Sequence, residues 1–176
     1  MTLWLSDLNT LSMEPPSVME GWLKTSASIT EKARGVCHEV RLQVLVERWE
    51  TIKYNKNFVR KVLIFCYEKP AWYAQTLIPK ETYQRREEQF KHLQNQAIGK
   101  ILFNDPNIVR QHFVYAYLTP HNEDFHQAIQ YYNMYGNSSI LLSGLWARKS
   151  IFLIDGQPLS IMEIFFPNAL PPISDV

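Results

Sequence analysis

The sequence of 176 residues has only two cysteines, six glycines and no block of charge of either sign. Cys37 and Cys66 allow at most one bridge, which excludes a disulfide-dense secreted scaffold and fits a reducing, cytoplasmic setting best. The few glycines form no Gly-x-Ser-x-Gly elbow, no Gly-x-Gly-x-x-Gly fingerprint and no P-loop spacing. Ester hydrolysis and nucleotide binding therefore have no motif behind them. Eighteen Lys and Arg stand against 17 Asp and Glu for a net charge of +1, and no basic run exceeds a pair such as Arg85-Arg86. A phosphate backbone would find no electrostatic footprint, so nucleic acid is not an expected partner. No apolar run approaches the ~20 residues of a membrane helix. The opening residues lack a basic stretch and carry Asp7 where a signal peptide is apolar, so neither membrane insertion nor export is expected.

What the chain does have is apolar surface: 46% hydrophobic residues against 20% charged, enough for a real core, with 13% aromatics including five Trp. Large flat side chains suit either a dense core or a flat ligand, and composition does not separate the two. No repeat or interior boundary is visible. Residues 1–176 read as a single domain, with about 1–16 and 168–176 peripheral.

Ser17 to Lys24 has helical spacing in Met19, Trp22 and Leu23. Ser28-Ile29-Thr30-Glu31 matches a capping box, which predicts a helix from there to about Gly35. From His38 the period changes to two, with Val40, Leu42, Val44 and Val46 on one covered face of a long strand. Phe58 to Tyr67 is apolar on both faces and reads as an interior strand, and Glu68-Lys69-Pro70 turns it into a partner at Trp72 to Ile78. Lys80 to Leu93 predicts one helix with Glu81/Arg85 and Glu87/Lys91 pairs on its solvated face. Ala97 to Phe103 predicts a short helix and Val109 to Leu118 an aromatic strand. A polar excursion from Thr119 to Ser139 follows, with a helix at Glu123 to Tyr132. Ile140 to Ile154 and Leu159 to Phe166 flank Asp155-Gly156, a type I′ hairpin signal. Hairpin-linked strands with segregated helices describe an α+β domain with an antiparallel sheet, which disfavours dinucleotide folds.

Two residues break this pattern. Glu163 shares its strand face with Leu159, Ile161 and Phe165. A carboxylate there either sits at the sheet rim in water, or is buried and requires a cation, a hydrogen-bond donor or a proton. Arg60 is the same anomaly with opposite sign, in phase with Phe58, Val62, Ile64 and Cys66. Its guanidinium wants a carboxylate: either Glu163, giving a structural ion pair, or a bound ligand, giving a binding site. A small planar aromatic acid would suit such a cavity, with Arg for its carboxylate and Glu for a ring hydroxyl. Arg148 and Lys149 beside Trp146 either face solvent, the simpler reading, or line a mouth for an anion. Cys66, in an apolar strand with nothing to lower its pKa, reads as a small core residue and not a nucleophile. Among His121, Glu123, Asp124 and His126 the two histidines, at i,i+5, do not share a helix face, and loop polarity accounts for the group better than a metal does.

An ordered set of segments resembles the chorismate lyase (chorismate-pyruvate lyase) family from about Trp22 to Pro167. They are Trp22-Leu23 with Ser28-Ile29-Thr30, Val59-Arg60-x-Val62-Leu63, Pro70 with Trp72 to Pro79, Ile98-Gly99-x-x-Leu102-Phe103, Leu145-Trp146-x-Arg148-x-Ser150, and Gln157-Pro158-Leu159 through Glu163-Ile164-Phe165-Phe166-Pro167. The resemblance implies a six-stranded antiparallel sheet with helices, enclosing an internal ligand cavity under helix-turn-helix flaps. It implies substrate-binding roles for Arg60 and Glu163, also the catalytic pair, and contacts at Ile29 and Ile98 made through backbone amides. Arg148 is a further candidate, for the enolpyruvyl carboxylate. The implied partners are chorismate, 4-hydroxybenzoate and pyruvate, feeding quinone or related aromatic biosynthesis, with no metal, nucleotide or organic cofactor and a monomeric protein. The Thr119 to Ser139 excursion is longer than in compact members, which bears on a lid, and Gln75 stands where a basic residue is often found. A more distant relative, the ligand-sensing domain of some transcription regulators, shares the fold without catalysis.

Overall fold

A computed structural model describes residues 2–136 and 142–173. Helices α1 (Ser17–Lys24) and α2 (Ile29–Val36) precede a meander of β1 (Val40–Ile52), β2 (Asn55–Cys66) and β3 (Lys69–Pro79). Three short helices, α3 (Lys80–Arg85), α4 (Glu87–Lys91) and α5 (Gly99–Leu102), lead to β4 (Val109–Leu118). Helix α6 (Glu123–Tyr135) then connects to the hairpin of β5 (Leu145–Ile154) and β6 (Gln157–Phe165). The strands form one six-stranded sheet in the order β1-β2-β3-β6-β5-β4, and every pairing is antiparallel. This is the α+β architecture expected from the sequence. Among the described residues no helix is long and apolar enough to cross a membrane.

Each hairpin closes through two residues with positive φ: Lys53 and Tyr54, Tyr67 and Glu68, Asp155 and Gly156. Positive φ at both central positions matches the twist of the flanking strands, and only the last pair uses a glycine for it. Ser28 caps α2, its hydroxyl accepting from the Glu31 amide at 3.4 Å. The reciprocal half of the capping box does not form, because the Glu31 carboxylate pairs with Arg34 instead. The predicted helix over 80–93 is broken at Arg86, which leaves helical geometry at φ −132°. Its guanidinium reaches Asp155 at 2.8 Å and Asp105 at 3.1 Å, tying the break to the β5–β6 turn. The expected Glu87–Lys91 pair forms at 3.0 Å, whereas Glu81 and Arg85 do not pair with each other.

The sheet buries both faces unequally. Helices α1 and α2 cover one end of the first face, where Trp22 packs on Trp72 at 6.3 Å between ring centroids. Helices α3 to α5 cover the other end. The second face is covered by α6 through Phe125, Ala128 and Tyr132. The described part of the polar excursion therefore roofs the second face; its residues 137–139, and residues 140–141 of the expected strand, lie outside the described residues.

Two irregularities shift the pairing. At β1 the register slips between Val44 and Val46, so that Val44 opposes Val62 but Glu47 opposes Arg60. This corrects the expected alternation: beyond the slip Val46 opposes Lys61 on the second face. At β4 a slip between Arg110 and His112 puts Arg110 opposite Phe152 and Phe113 opposite Ser150. Both Arg110 and Phe113 then point to the first face, which an unbroken period of two forbids.

Cys37, at the C-terminus of α2, is disulfide-bonded to Cys66, the last residue of β2. Cys66 is the buried core residue expected from the sequence, and the one bridge the two cysteines allow is formed, stapling a helix to the sheet.

Cys37→Ser with Cys66→Ser opens a loop of sequence separation 29 and lowers unfolding stability by about 3 kcal/mol. Urea titration with and without dithiothreitol checks this: reductant must shift the wild type and leave the variant unmoved. Tyr54→Gly relieves a positive φ at a fully exposed position and raises stability by about 0.5–1 kcal/mol. A lower urea midpoint for that variant contradicts the turn geometry.

Candidate active site

Strand register lines up the first face in rows. Arg60 of β2, Thr76 of β3, Ile161 of β6 and Ser150 of β5 are cross-strand neighbours in one row. Val62, Ala74, Glu163 and Arg148 form the next. At ~4.8 Å per strand, the three intervals between Arg60 and Ser150 separate their backbones by roughly 14 Å. Over these rows lie the start of α2, with Ile29 and Thr30, and Ile98 and Gly99 at the start of α5. The pocket between sheet and helices holds about 550 Å³ of atom-free space, its mouth included. All five residues selected from the sequence (Arg60, Glu163, Ile29, Ile98 and Arg148) line it.

The ion pairs are not the ones the sequence offered. Arg60 and Glu163 do not bond; each has another partner. Glu163 accepts from Arg148 Nε at 2.6 Å, directly across the β5–β6 ladder. Arg148 is 1% exposed, which corrects the solvent-facing reading, and its Nη1 donates to the carbonyls of Thr25 at 2.6 Å and Leu23 at 3.2 Å. Those carbonyls end α1, so Arg148 holds the flap connection and orients Glu163 at once. One oxygen of Glu163, Oε1, takes no described partner.

Arg60 is 2% exposed and donates from Nε to Glu47 at 2.7 Å. Its Nη2 donates to the carbonyls of Gln94 at 2.6 Å and Gln96 at 3.0 Å, which lead into α5. Burial pushes the guanidinium pKa down, and the Glu47 hydrogen bond and charge push it back. Nη1 takes no described partner, so Arg60 keeps donor capacity in the pocket.

A third guanidinium, Arg110, was missed. It lines the pocket with its centre 4.5 Å from the ring centroid of Phe113 and 4.8 Å from those of Phe103 and Phe152. Its Nη1 donates to the Ser26 carbonyl between α1 and α2. No carboxylate pairs with it; burial first, then the nearby Arg148, pushes its pKa down to about 10. Its Nε and the hydroxyl of Ser150 are buried with no hydrogen-bond partner. Ser150 was legible, being in phase with Arg148 and Phe152; Arg110 was not, because its orientation depends on the β4 slip.

The flaps meet tightly. A Cβ on Gly99 would lie 2.8 Å from Ser28 Oγ, so only glycine lets α5 approach α2 here. With Ser28 accepting from Glu31, the amides of Ile29 and Thr30 in the first turn of α2 have no partner within the helix. Gln75 falls on the second face, beside the Tyr73 hydroxyl at 3.3 Å, and is no pocket residue. Among the described residues no group of three or more His, Cys, Asp or Glu could hold a metal ion.

Three comparisons bear on this site. The sequence model of the family described as "Chorismate lyase" matches residues 2–173. Proteins named "Probable chorismate pyruvate-lyase" align over most of their length. That of Nitrosomonas eutropha is 26% identical over 86% of this chain and 88% of its own. That of Psychromonas ingrahamii is 28% identical over 94% and 90%. Among solved structures, a ligand-binding domain assigned to the GntR family of transcriptional regulators, from Bordetella bronchiseptica, superposes with a TM-score of 0.52 at 6% identity. It covers 78% of this chain and 89% of that one. YydK of Bacillus subtilis, described as a possible transcriptional regulator, superposes at 0.51 with 11% identity over 78% of this chain and 62% of its own. At such identities the structural likeness concerns the fold alone. The match of that family model over nearly the whole chain means that this chain belongs to the chorismate lyase family.

Proposed function

We propose that the protein is a chorismate lyase, eliminating pyruvate from chorismate to give 4-hydroxybenzoate without a metal or organic cofactor, for quinone or related aromatic biosynthesis. The observation that carries this reading is a carboxylate, Glu163, oriented by a buried arginine and keeping one oxygen free inside a pocket that also holds Arg60. In the reaction the C4 proton leaves, the C3–O bond breaks, and the electron pair of the C–H bond becomes the third ring double bond. The departing enolpyruvate takes up a proton to become pyruvate. Aromatisation supplies much of the drive, so the protein has mainly to orient and neutralise.

Arg60 binds the ring carboxylate, with the free amides at the start of α2 assisting and Ile98 closing over the ring. Glu163 accepts a hydrogen bond from the 4-hydroxyl and receives the C4 proton. Arg148 acts through Glu163: its Nε holds that carboxylate while its Nη1 is fixed by the carbonyls of Leu23 and Thr25, so it is a positioning residue. A second reading, an aromatic-acid sensor without turnover, is favoured by one observation, the fold shared with regulator ligand-binding domains. Pyruvate release separates the two.

Purified protein given chorismate should release pyruvate and 4-hydroxybenzoate in equal amounts, followed by a coupled assay and by ultraviolet absorbance. Binding of 4-hydroxybenzoate without pyruvate formation would leave the sensor. Glu163→Gln should lower kcat by about 100-fold or more with KM changed little, while Arg60→Ala should raise KM and lower kcat together. Full kcat in Glu163→Gln would remove the proton-accepting role. Arg148→Met strands Glu163 without its cation and should cost about 3–5 kcal/mol of stability, read from urea unfolding.

A further inference from the structure

Arg60, Arg110 and Arg148 all line the pocket, but they are not equivalent. Arg148 is paired with Glu163 and Arg60 with Glu47, whereas Arg110 has no carboxylate partner among the described residues. We propose that Arg110 and Ser150 form a second anion subsite that receives the enolpyruvyl carboxylate of chorismate, so that the pocket selects dianions over monoanions.

Three independent observations meet here. The first is orphaned polarity: Arg110 Nε and Ser150 Oγ are buried side-chain atoms without a hydrogen-bond partner, and both residues line this pocket. Ser150 is itself 1% exposed, so its hydroxyl has no route to bulk water except through the pocket. Buried donors left unmade are costly, and a ligand oxygen satisfies them. The second is preorganisation. Three phenylalanine rings and the Ser26 carbonyl hold the guanidinium, so a carboxylate meets a donor already fixed. The third is placement. Arg110 opposes Phe152, two residues along β5 from Ser150, while Arg60 lies on β2, three strand intervals from Ser150 and four from Arg110. Roughly 14 Å between the backbones of Arg60 and Ser150, less the reach of the side chains, accommodates a ring with a carboxylate on C1 and an enolpyruvyl ether on C3. Arg148 lies between these ends, with Nε on Glu163 and Nη1 on two carbonyls, so its charge is already matched by a carboxylate and it is the weaker candidate for that anion.

The identity of the second anion rests on the lyase reading; the dianion preference does not, and the experiment separates them. Two non-reacting probes are compared by calorimetry: 4-hydroxybenzoate, with one carboxylate, and 3-(carboxymethoxy)-4-hydroxybenzoate, which adds a second where chorismate carries its enolpyruvyl group. The wild type should bind the second probe more tightly. Arg110→Met should weaken it by about tenfold or more while 4-hydroxybenzoate stays within about threefold, and that retained binding certifies the fold. Ser150→Ala, which leaves the Arg110 contacts in place, should weaken the dianion alone by about three- to fivefold. Arg110→Lys should restore part of the loss as a point charge. With chorismate, Arg110→Met should raise KM by about the same factor as the dianion loss. Equal loss of both probes, an undiminished dianion in Arg110→Met, or no dianion preference in the wild type overturns the subsite. If the preference and its loss appear but chorismate yields no pyruvate, the subsite stands and the lyase reading fails.

Discussion

Three guanidinium groups on the apolar face of one sheet constrain everything around them, because each must be hydrogen-bonded or else lose much of its hydration without compensation. Arg148 is met by Glu163 across one ladder and by the carbonyls ending α1. Arg60 is met by Glu47 across another ladder and by the carbonyls preceding α5. The charges that shape the pocket thus also pin both flaps to the sheet. Arg110 alone is held by ring faces and a single carbonyl, without a counter-charge. The pocket is left with a net deficit of negative charge at that end.

The same contacts connect packing to access. Helix α2 is fixed at its C-terminus by the Cys37–Cys66 bond, while its first turn faces the pocket and touches α5 at the Ser28–Gly99 approach. Opening the mouth therefore means parting that approach while the far end of α2 stays stapled.

The sheet and its helices are shared with regulator domains of very low sequence identity, so the architecture by itself does not carry chemistry. What bears on chemistry is which polar groups stand on the first face and which atoms remain unsatisfied there. Glu163 with a spare oxygen, and Arg110 with Ser150 unpartnered, are features a purely structural ion network would not need.

Much of this was legible in the residue order. Period-two runs, the Ser28 cap and the Asp155-Gly156 turn are local signals, and they led to the strands, the α2 start and the last hairpin because each reports on neighbours within a few residues. Glu163 and Arg60 announced themselves as charges on apolar faces, and both line the pocket. Pairing was another matter. Two slips of register, near Leu45 and Gln111, turned Glu47 toward Arg60 and Arg110 into the pocket, and across-ladder adjacency joined Arg148 to Glu163. The break at Arg86 and the Cys37–Cys66 bond likewise depend on partners far away in sequence. By itself the sequence determined which residues form strands and helices and which charges are anomalous, since those follow from local periodicity. Which charge meets which, and which is left free for a ligand, was decided only by the tertiary structure, because cross-strand register and bulges are settled by packing between segments that no local pattern encodes.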